Sequence, residues 1–137
     1  MGVPGGGRNE VTTRLIRHLS VLCIDSFDDT TLKKIFTSIV DWHFSKGYDT
    51  EIIRWARPMV YATMNVYATA ISHFLPTPAK SHYVFNLRDF ARVIRGLLLV
   101  PATHMEDGPK LMRLWVHEAY RIFCDRIFDP EDRYWEN

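Results

Sequence analysis

The chain has 137 residues, of which 47% are apolar and 24% are charged. That length allows one compact domain, and the composition excludes an intrinsically disordered chain. The formal net charge is +1, from 17 Lys and Arg residues against 16 Asp and Glu residues. A chain this close to neutral is not expected to bind nucleic acid or an anionic membrane by bulk electrostatic attraction.

Targeting signals and a disulfide framework are both missing from the sequence pattern. Residues 1–7 lack the apolar stretch of a signal peptide, and no apolar run is longer than that at 97–100, which cannot cross a bilayer. The two cysteines, Cys23 and Cys124, lack metal-ligand spacing. We interpret them as buried thiols in a reducing compartment and expect a soluble intracellular chain.

The N-terminal part of the sequence predicts a glycine-rich loop, a short helix and a strand. The loop covers residues 1–7, and the helix covers residues 11–19, with Thr12 or Thr13 as its cap. Residues 20–25 are centred on a continuous apolar run, which is typical of a strand buried on both faces of a parallel sheet. A lone strand needs neighbours for its backbone hydrogen bonds. We therefore expect a piece of a longer protein.

After the predicted strand, the apolar positions recur with helical periodicity. Ile35 and Ile39 belong to the predicted core stripe of the first of these helices, and Gly47 is its stop signal. Pro58 predicts a kink in the second helix or its division into two, and Asn86 is a cap for the third. The fold class is mainly α, a helical bundle preceded by the last strand of an α/β core. The predicted helices cover residues 28–45, 50–74, 87–100 and 107–128.

The sequence contains no recognisable catalytic constellation. Its six histidines show no pairing such as His-Glu-x-x-His. His43 lies on an apolar stripe, where a packed ring is expected. The glycine loop at 5–8 lacks the Gly-Lys-Ser/Thr of a phosphate-binding loop.

Two groups of arginines are the candidate functional residues. Arg14 and Arg17 flank the short helix ahead of the predicted strand, and a guanidinium is a rigid fork that suits phosphate. Arg88, Arg92 and Arg95 share one face of the helix at 87–100. Arg88 falls in the first turn of that helix, where a phosphate would also meet free N–H groups. Solvated surface arginines are the alternative interpretation of both groups.

Two long motifs resemble segments of dynein heavy chains. Residues 2–18 read Gly-Val-Pro-Gly-Gly-Gly-Arg-Asn and, after a glutamate, Val-Thr-Thr-Arg-Leu-Ile-Arg-His; they resemble the segment after the fourth core strand of an AAA+ module. Residues 75–90, Leu-Pro-Thr-Pro-Ala-Lys-Ser-His-Tyr-Val-Phe-Asn-Leu-Arg-Asp-Phe, resemble the lid of that module. The resemblance covers nearly the whole chain and is closest to the third of six modules, in an axonemal form. Gly2 stands near the sensor-1 position, and Pro58 departs from the lid pattern.

The resemblance implies roles for the arginines. Arg17 matches the arginine-finger position, with Arg14 as the alternative. Either would reach the nucleotide site of the neighbouring module and stabilise charge on the γ-phosphate. Arg88 matches the sensor-2 arginine, which contacts nucleotide bound in its own module. Arg92 and Arg95 have no family role and are open to pairing with carboxylates.

The same resemblance implies that the parent is an ATP-driven, minus-end-directed microtubule motor in the cytoplasm, cytoskeleton and axoneme of cilia or flagella. Residues 1–27 would be the C-terminal strip of the large α/β subdomain, and residues 28–137 the helical lid of a regulatory module. ATP or ADP with Mg²⁺ would bind in the intact module. The implied partners are other AAA+ modules, intermediate and light chains and microtubules, and neither membrane nor nucleic acid. The chain has no Walker motif, so alone it should be inactive and hold no cofactor.

A second interpretation is a free-standing helical interaction module that binds protein or nucleic acid through Arg88, Arg92 and Arg95. The predicted strand at 20–25 distinguishes the two interpretations. A free module should pair that strand internally, whereas a piece of a motor should leave it unpaired or paired with another copy.

Overall fold

The computed structural model describes residues 10–24, 27–105, 107–129 and 132. These residues form five α-helices and two short 3₁₀ helices, with no β-strand among them. The predicted mainly α fold is confirmed. Residues 2–9 of the N-terminal motif, including Gly2, lie outside the described residues. The α-helices are α1 (Thr13–Ile16), α2 (Asp29–Phe44), α3 (Thr50–His73), α4 (Leu87–Leu98) and α5 (Gly108–Phe123).

The N-terminal segment lacks the strand that the sequence predicts. Helix α1 is shorter than the predicted helix at 11–19, none of its residues is buried, and Thr12 stands at its N-cap without a side-chain hydrogen bond. Residues 20–24 form no strand, and Leu22 and Ile24 are each 88% exposed. A strand forms only where a neighbour pairs with its backbone, and no described residue does so here. The prediction of a doubly buried strand is therefore wrong for residues 20–24.

Helix α2 buries one narrow stripe against the rest of the bundle. Ile35 and Ile39, which the sequence assigns to the core, are 40% and 41% exposed and lie at the edge of that stripe. Gly47 follows the helix with a φ of +82°, the left-handed conformation that ends helices at glycine, as predicted. The buried side chains recur every four residues, at Leu32, Phe36, Val40 and Phe44.

Helix α3 passes through Pro58 without a break. Of the two outcomes that the sequence predicts for this proline, division into two helices is wrong, since α3 is continuous over Thr50–His73. A proline in a helix interior removes one backbone donor. Ala56 and Met59 on either side of it are buried, so tertiary packing on both sides holds the helix together.

Helices α4 and α5 approach closely where a glycine faces a glutamate. A Cβ on Gly96 would lie 2.3 Å from Oε2 of Glu118, so the glycine makes room for this buried carboxylate. Oε2 of Glu118 accepts a hydrogen bond from Nη2 of Arg121 at 2.7 Å. Helix α5 ends earlier than predicted, because a 3₁₀ helix at Cys124–Arg126 replaces its expected last turn.

The buried apolar side chains form two clusters. The larger lies among α2, α3, α4 and α5 and includes Phe90, whose ring centroid is 4.4 Å from that of Phe36. The smaller joins the end of α3, the connector between α3 and α4 (residues 74–86) and the residues after α5, through Tyr83, Phe85 and Ile127. Burial of apolar surface is the main term that stabilises such helices. Both the connector and the chain after α5 are therefore fixed to the bundle.

Three further properties of the described residues bear on function. None of their helices combines the length and apolarity that crossing a membrane requires. Among the same residues, no group of three or more His, Cys, Asp or Glu side chains is placed to hold a metal ion. Cys23 is exposed and Cys124 is half-buried, and neither forms a disulfide. The prediction of two buried thiols is thus wrong for Cys23.

Candidate functional site

A capping box holds Arg88 at the N-terminus of α4. The Arg88 N–H donates to Asn86 Oδ1 at 2.9 Å, and the Asn86 N–H donates to Asp89 Oδ2 at 3.1 Å. Asn86 is therefore the cap that the sequence predicts. Because this cap occupies the Arg88 N–H, that N–H is not one of the free N–H groups predicted for phosphate in the first turn.

The guanidinium of Arg88 is available to a ligand. Its side chain is exposed, and in the part of the chain that the structure describes no carboxylate lies within ion-pair distance of it. Arg88 lines a hollow of 520 Å³ with Phe36, Leu87 and Ala91. An arginine without an acidic partner keeps its full fork of donors. Arg88 is therefore suited to bind an anion.

A larger and mostly apolar hollow shares Leu87 with the first. It has a volume of 810 Å³ and is lined by the start of α2 and the second half of α3, including Leu32 and Tyr61. Lys33, which also lines it, lies 5.7 Å from the centroid of the Tyr61 ring. Arg88, in the first turn of α4, thus lies beside an apolar surface.

Asp89, the residue after Arg88, is a buried carboxylate with two arginine partners. Its side chain is 3% exposed and accepts hydrogen bonds from Nη2 and Nη1 of Arg126 at 3.0 and 3.2 Å. Nη1 of Arg92 lies 3.3 Å from the same carboxylate. A buried charge is costly unless it is paired and hydrogen-bonded. The two arginines therefore offset the cost of burying Asp89, and Arg126 connects α4 to the chain after α5.

The other arginines of α4 have different environments. Arg92 pairs with a carboxylate, which the sequence leaves open, whereas Arg95 is exposed and makes no ion pair with a described residue. Nothing in the sequence pattern indicates Arg126, because 37 residues separate it from Asp89. An interaction surface made of Arg88, Arg92 and Arg95 would lose part of its positive charge, because Arg92 is paired with the Asp89 carboxylate.

Arg14 and Arg17 lie on a part of the chain without comparable support. Arg14 is in the last turn of α1, and Arg17 is its C-cap residue. Both are exposed. No hydrogen bond or ion pair among the described residues joins either of them to Arg88. The structure therefore does not bring the two arginine groups together.

His43 is a packed residue, as predicted, rather than a catalytic one. Its Nε2 lies 2.9 Å from Oη of Tyr48, which donates to the Val100 carbonyl at 2.6 Å. Because a carbonyl only accepts and the Tyr48 hydrogen is used there, Nε2 of His43 is the donor to Tyr48. Burial, followed by the charge of Lys46, lowers the pKa of His43, and burial raises the pKa of Tyr48.

Comparison with known proteins finds close relatives over nearly the whole chain. The sequence is 58% identical to human dynein axonemal heavy chain 3 over 133 residues, which is 97% of this chain. It is 48% identical to rat dynein axonemal heavy chain 12 over 136 residues and 45% identical to human dynein axonemal heavy chain 1 over 146 residues, each covering 98% of this chain. The chain spans only 3% to 4% of the length of these relatives.

The family of lid domains is matched as well. The family described as "Dynein heavy chain, ATPase lid domain" matches residues 31–133, which include nearly all of α2 and the whole of α3, α4 and α5. The predicted resemblance to dynein heavy chains is thereby confirmed. The chain belongs to the dynein heavy chain family, and its helical bundle is an ATPase lid domain.

Proposed function

We propose that this chain is the lid of a nucleotide-binding AAA+ module in an axonemal dynein heavy chain, with residues 1–27 belonging to the α/β subdomain and residues 28–137 to the lid. The resemblance of the motifs favours the third module of an ATP-driven, minus-end-directed microtubule motor. The axonemal relatives favour a place in cilia or flagella. Residues 20–24 form no strand here and have no strand partner among the described residues, which supports this division, because they could form a strand only with partners from the rest of a sheet.

The environment of Arg88 is the observation that carries the proposal. It is an exposed arginine that lies on the first turn of a packed, capped helix and has no acidic partner among the described residues. Its neighbour Asp89 is already paired internally and does not compete for it. A cation fixed in this way is a contact for a phosphate oxygen of nucleotide bound in the same module.

ATP or ADP with Mg²⁺ would bind in the intact module, and ATP would supply the γ-phosphoryl group whose transfer to water drives such motors. The residues present fit one part of that site. Arg88 would bind phosphate. Leu87 lines both hollows, so the larger, apolar hollow would lie next to Arg88. Because no described cluster of carboxylates is placed to hold Mg²⁺, we propose that the contribution of this chain is the charge of Arg88.

A second contact would come from α1. We propose Arg17, with Arg14 as the alternative, as the arginine finger that acts on the nucleotide of the neighbouring module. Both side chains are exposed and make no ion pair within the described part of the chain. The other AAA+ modules of the same heavy chain are thus its direct partners, and microtubules and the intermediate and light chains are partners of the parent. Nucleotide in this module would regulate how the ring transmits conformational change.

The direct test is Arg88→Ala in the intact motor, with Arg95→Ala, at another exposed arginine of the same helix, as the matched control. We expect Arg88→Ala to weaken ADP binding at this module by about tenfold, the effect of losing one charge-assisted contact. Arg95→Ala should leave the affinity within about twofold of the unmodified motor. The measurement is titration with fluorescent ADP after the nucleotide sites of the other modules have been inactivated.

Two outcomes would contradict the proposal. Equal affinity for ADP in the Arg88→Ala motor and the unmodified motor would remove the proposed role of Arg88 in binding nucleotide. An equal loss in the Arg88→Ala and Arg95→Ala motors would indicate a diffuse charge effect instead of a specific contact.

A further inference from the structure

The chain after α5 is folded back onto the connector that precedes α4. We call residues 124–129 the C-terminal strap. Ile127 of the strap is fully buried in the smaller hydrophobic cluster, and the ring of Phe128 lies 4.9 Å from that of His82. Nη1 of Arg126 donates to the Val84 carbonyl at 3.0 Å. The strap is thus attached to the connector just before the first turn of α4.

A second set of contacts fixes the strap at the other end of the connector. Nζ of Lys80 lies 2.8 Å from Oδ2 of Asp129 and also pairs with Asp132. The Tyr83 hydroxyl donates to Oδ2 of Asp132 at 2.9 Å. The hydrogen bonds to Asp129 and Asp132 raise the pKa of Lys80 above its usual range, so the lysine stays charged. The strap and the connector are therefore joined by ionic contacts as well as by apolar packing.

A continuous series of hydrogen bonds leads from the strap to Arg88. Arg126 donates both Nη groups to the Asp89 carboxylate. That carboxylate accepts from the Asn86 N–H, and the Asn86 side chain accepts from the Arg88 N–H. A bidentate arginine–carboxylate pair fixes the orientation of its two side chains relative to each other. The position of Arg126 therefore affects the position of the backbone that carries the Arg88 side chain.

We propose that Arg126 is a positioning residue for Arg88, so that the C-terminal strap sets how well the lid contacts nucleotide. This inference rests on the proposed function of Arg88. Arg126 itself does not bind the nucleotide; it holds Asp89 and the capping box in place. A change in the strap is transmitted to Arg88 through that pair, and nucleotide bound at Arg88 favours the attached position of the strap, since such coupling is reciprocal.

The first experiment tests positioning without nucleotide. Amide hydrogen exchange is measured on this chain and on its Arg126→Ala, Arg126→Lys and Arg121→Ala variants. We expect exchange at Arg88 and Asp89 to rise about tenfold in Arg126→Ala, because the capping box loses its support. Arg126→Lys, which keeps the charge but not the fork, should be intermediate. Arg121→Ala removes a different ion pair, with Glu118, and should leave these amides unchanged.

The second experiment tests whether Arg126 acts through Arg88. ADP affinity is measured in the intact motor for Arg88→Ala, Arg126→Lys, Arg126→Ala and the double variant Arg88→Ala with Arg126→Ala. We expect Arg126→Ala to weaken binding about three- to tenfold and to add nothing in the Arg88→Ala background. Arg126→Lys should recover part of the loss, and it covers the case in which the alanine variant does not fold.

The outcomes separate this inference from the proposed function. If Arg88→Ala weakens ADP binding and neither Arg126 variant does, Arg126 is not a positioning residue although the role of Arg88 stands. Losses that add fully in the double variant would also overturn the inference, since they would indicate a general destabilisation of the lid. If Arg88→Ala has no effect, the proposed function itself fails. In that case, unchanged exchange at Arg88 in Arg126→Ala would refute the positioning role independently.

Discussion

The candidate arginines lie on two helices that differ greatly in how well they are packed and capped. Arg88 lies in the first turn of α4, a twelve-residue helix that has a side-chain cap and six buried residues. Arg14 lies on α1 and Arg17 is its C-cap residue, and α1 is a four-residue helix without a side-chain cap or a buried residue. Short helices are marginal unless tertiary packing stabilises them. The lid thus packs around the helix that carries Arg88, whereas no buried residue of α1 fixes the position of Arg14 and Arg17.

The proposed roles of the arginines explain this difference in packing between α4 and α1. A residue that contacts nucleotide in its own module benefits from a support that moves with the lid as one body. A residue that reaches into a neighbouring module depends on the interface between modules. The following predictions test the contrast between the packed lid and the unsupported N-terminal segment, in order of decreasing effect.

The largest contrast is expected between a core residue of α4 and an apolar residue of the N-terminal segment. Phe90 is fully buried, with its ring centroid 4.4 Å from that of Phe36, so Phe90→Ala should lower the free energy of unfolding by about 3–5 kcal/mol. Leu22 is 88% exposed, and Leu22→Ala should change it by less than about 0.5 kcal/mol. Urea unfolding followed by circular dichroism measures both. A comparable loss in Leu22→Ala would show that the N-terminal segment packs on the lid.

A smaller contrast is expected between the first turns of α4 and α1. Asp89→Ala removes one half of the capping box and leaves Arg126 without its main carboxylate, so a loss of about 2–4 kcal/mol is expected. Thr12 makes no capping hydrogen bond through its side chain, and Thr12→Ala should cost less than about 0.5 kcal/mol. Thermal unfolding of both variants gives the comparison. If both lost the same stability, the support of α4 would not exceed that of α1.

The smallest effect is a dependence of stability on pH that comes from His43 of the lid. The pKa of His43 is lowered in the folded chain, mainly by burial and then by the charge of Lys46, so the unfolded chain binds the proton more readily. The stability contributed by neutral His43 is present above its unfolded-state pKa of about 6.5 and is lost as the pH falls through the lower folded-state value.

Replacement of single histidines isolates this contribution. The free energy of unfolding should fall less between about pH 7.5 and 5 in His43→Gln than in the unmodified chain. The exposed His18, just after α1, is the control, and His18→Gln should retain the full dependence. A parallel pH dependence in all three proteins would contradict a lowered pKa at His43.

The helical elements of the lid follow from local signals. Gly47 in its left-handed conformation and the Asn86 cap fix boundaries at the residues that the sequence predicts. The sequence pattern places Ile35 and Ile39 in the core because periodicity does not show how wide the buried stripe of a helix is. Pro58 does not divide α3, because the packing on both sides of it outweighs the loss of one hydrogen bond.

Other features depend on contacts that local patterns do not encode. Whether residues 20–24 form a strand depends on neighbours that the described residues do not supply. The position of Arg88 at the start of α4 could be predicted, but its internal support could not. In the sequence, Asp89 is recognisable only as an acidic residue in the first turn of a helix. Its partner Arg126 lies 37 residues away. Pairings at such separations are set by the packing of α4 on α5 and on the strap.

The most direct test of the central claim is the structure of the intact heavy chain with ADP bound in the module that carries this lid. We expect a guanidinium nitrogen of Arg88 to lie about 3 Å from a phosphate oxygen, the distance of a charge-assisted hydrogen bond. The pair between Asp89 and Arg126 should be intact in the same structure. A solvated Arg88 more than about 8 Å from every phosphate oxygen, beyond the reach of a direct or water-mediated hydrogen bond, would contradict the account.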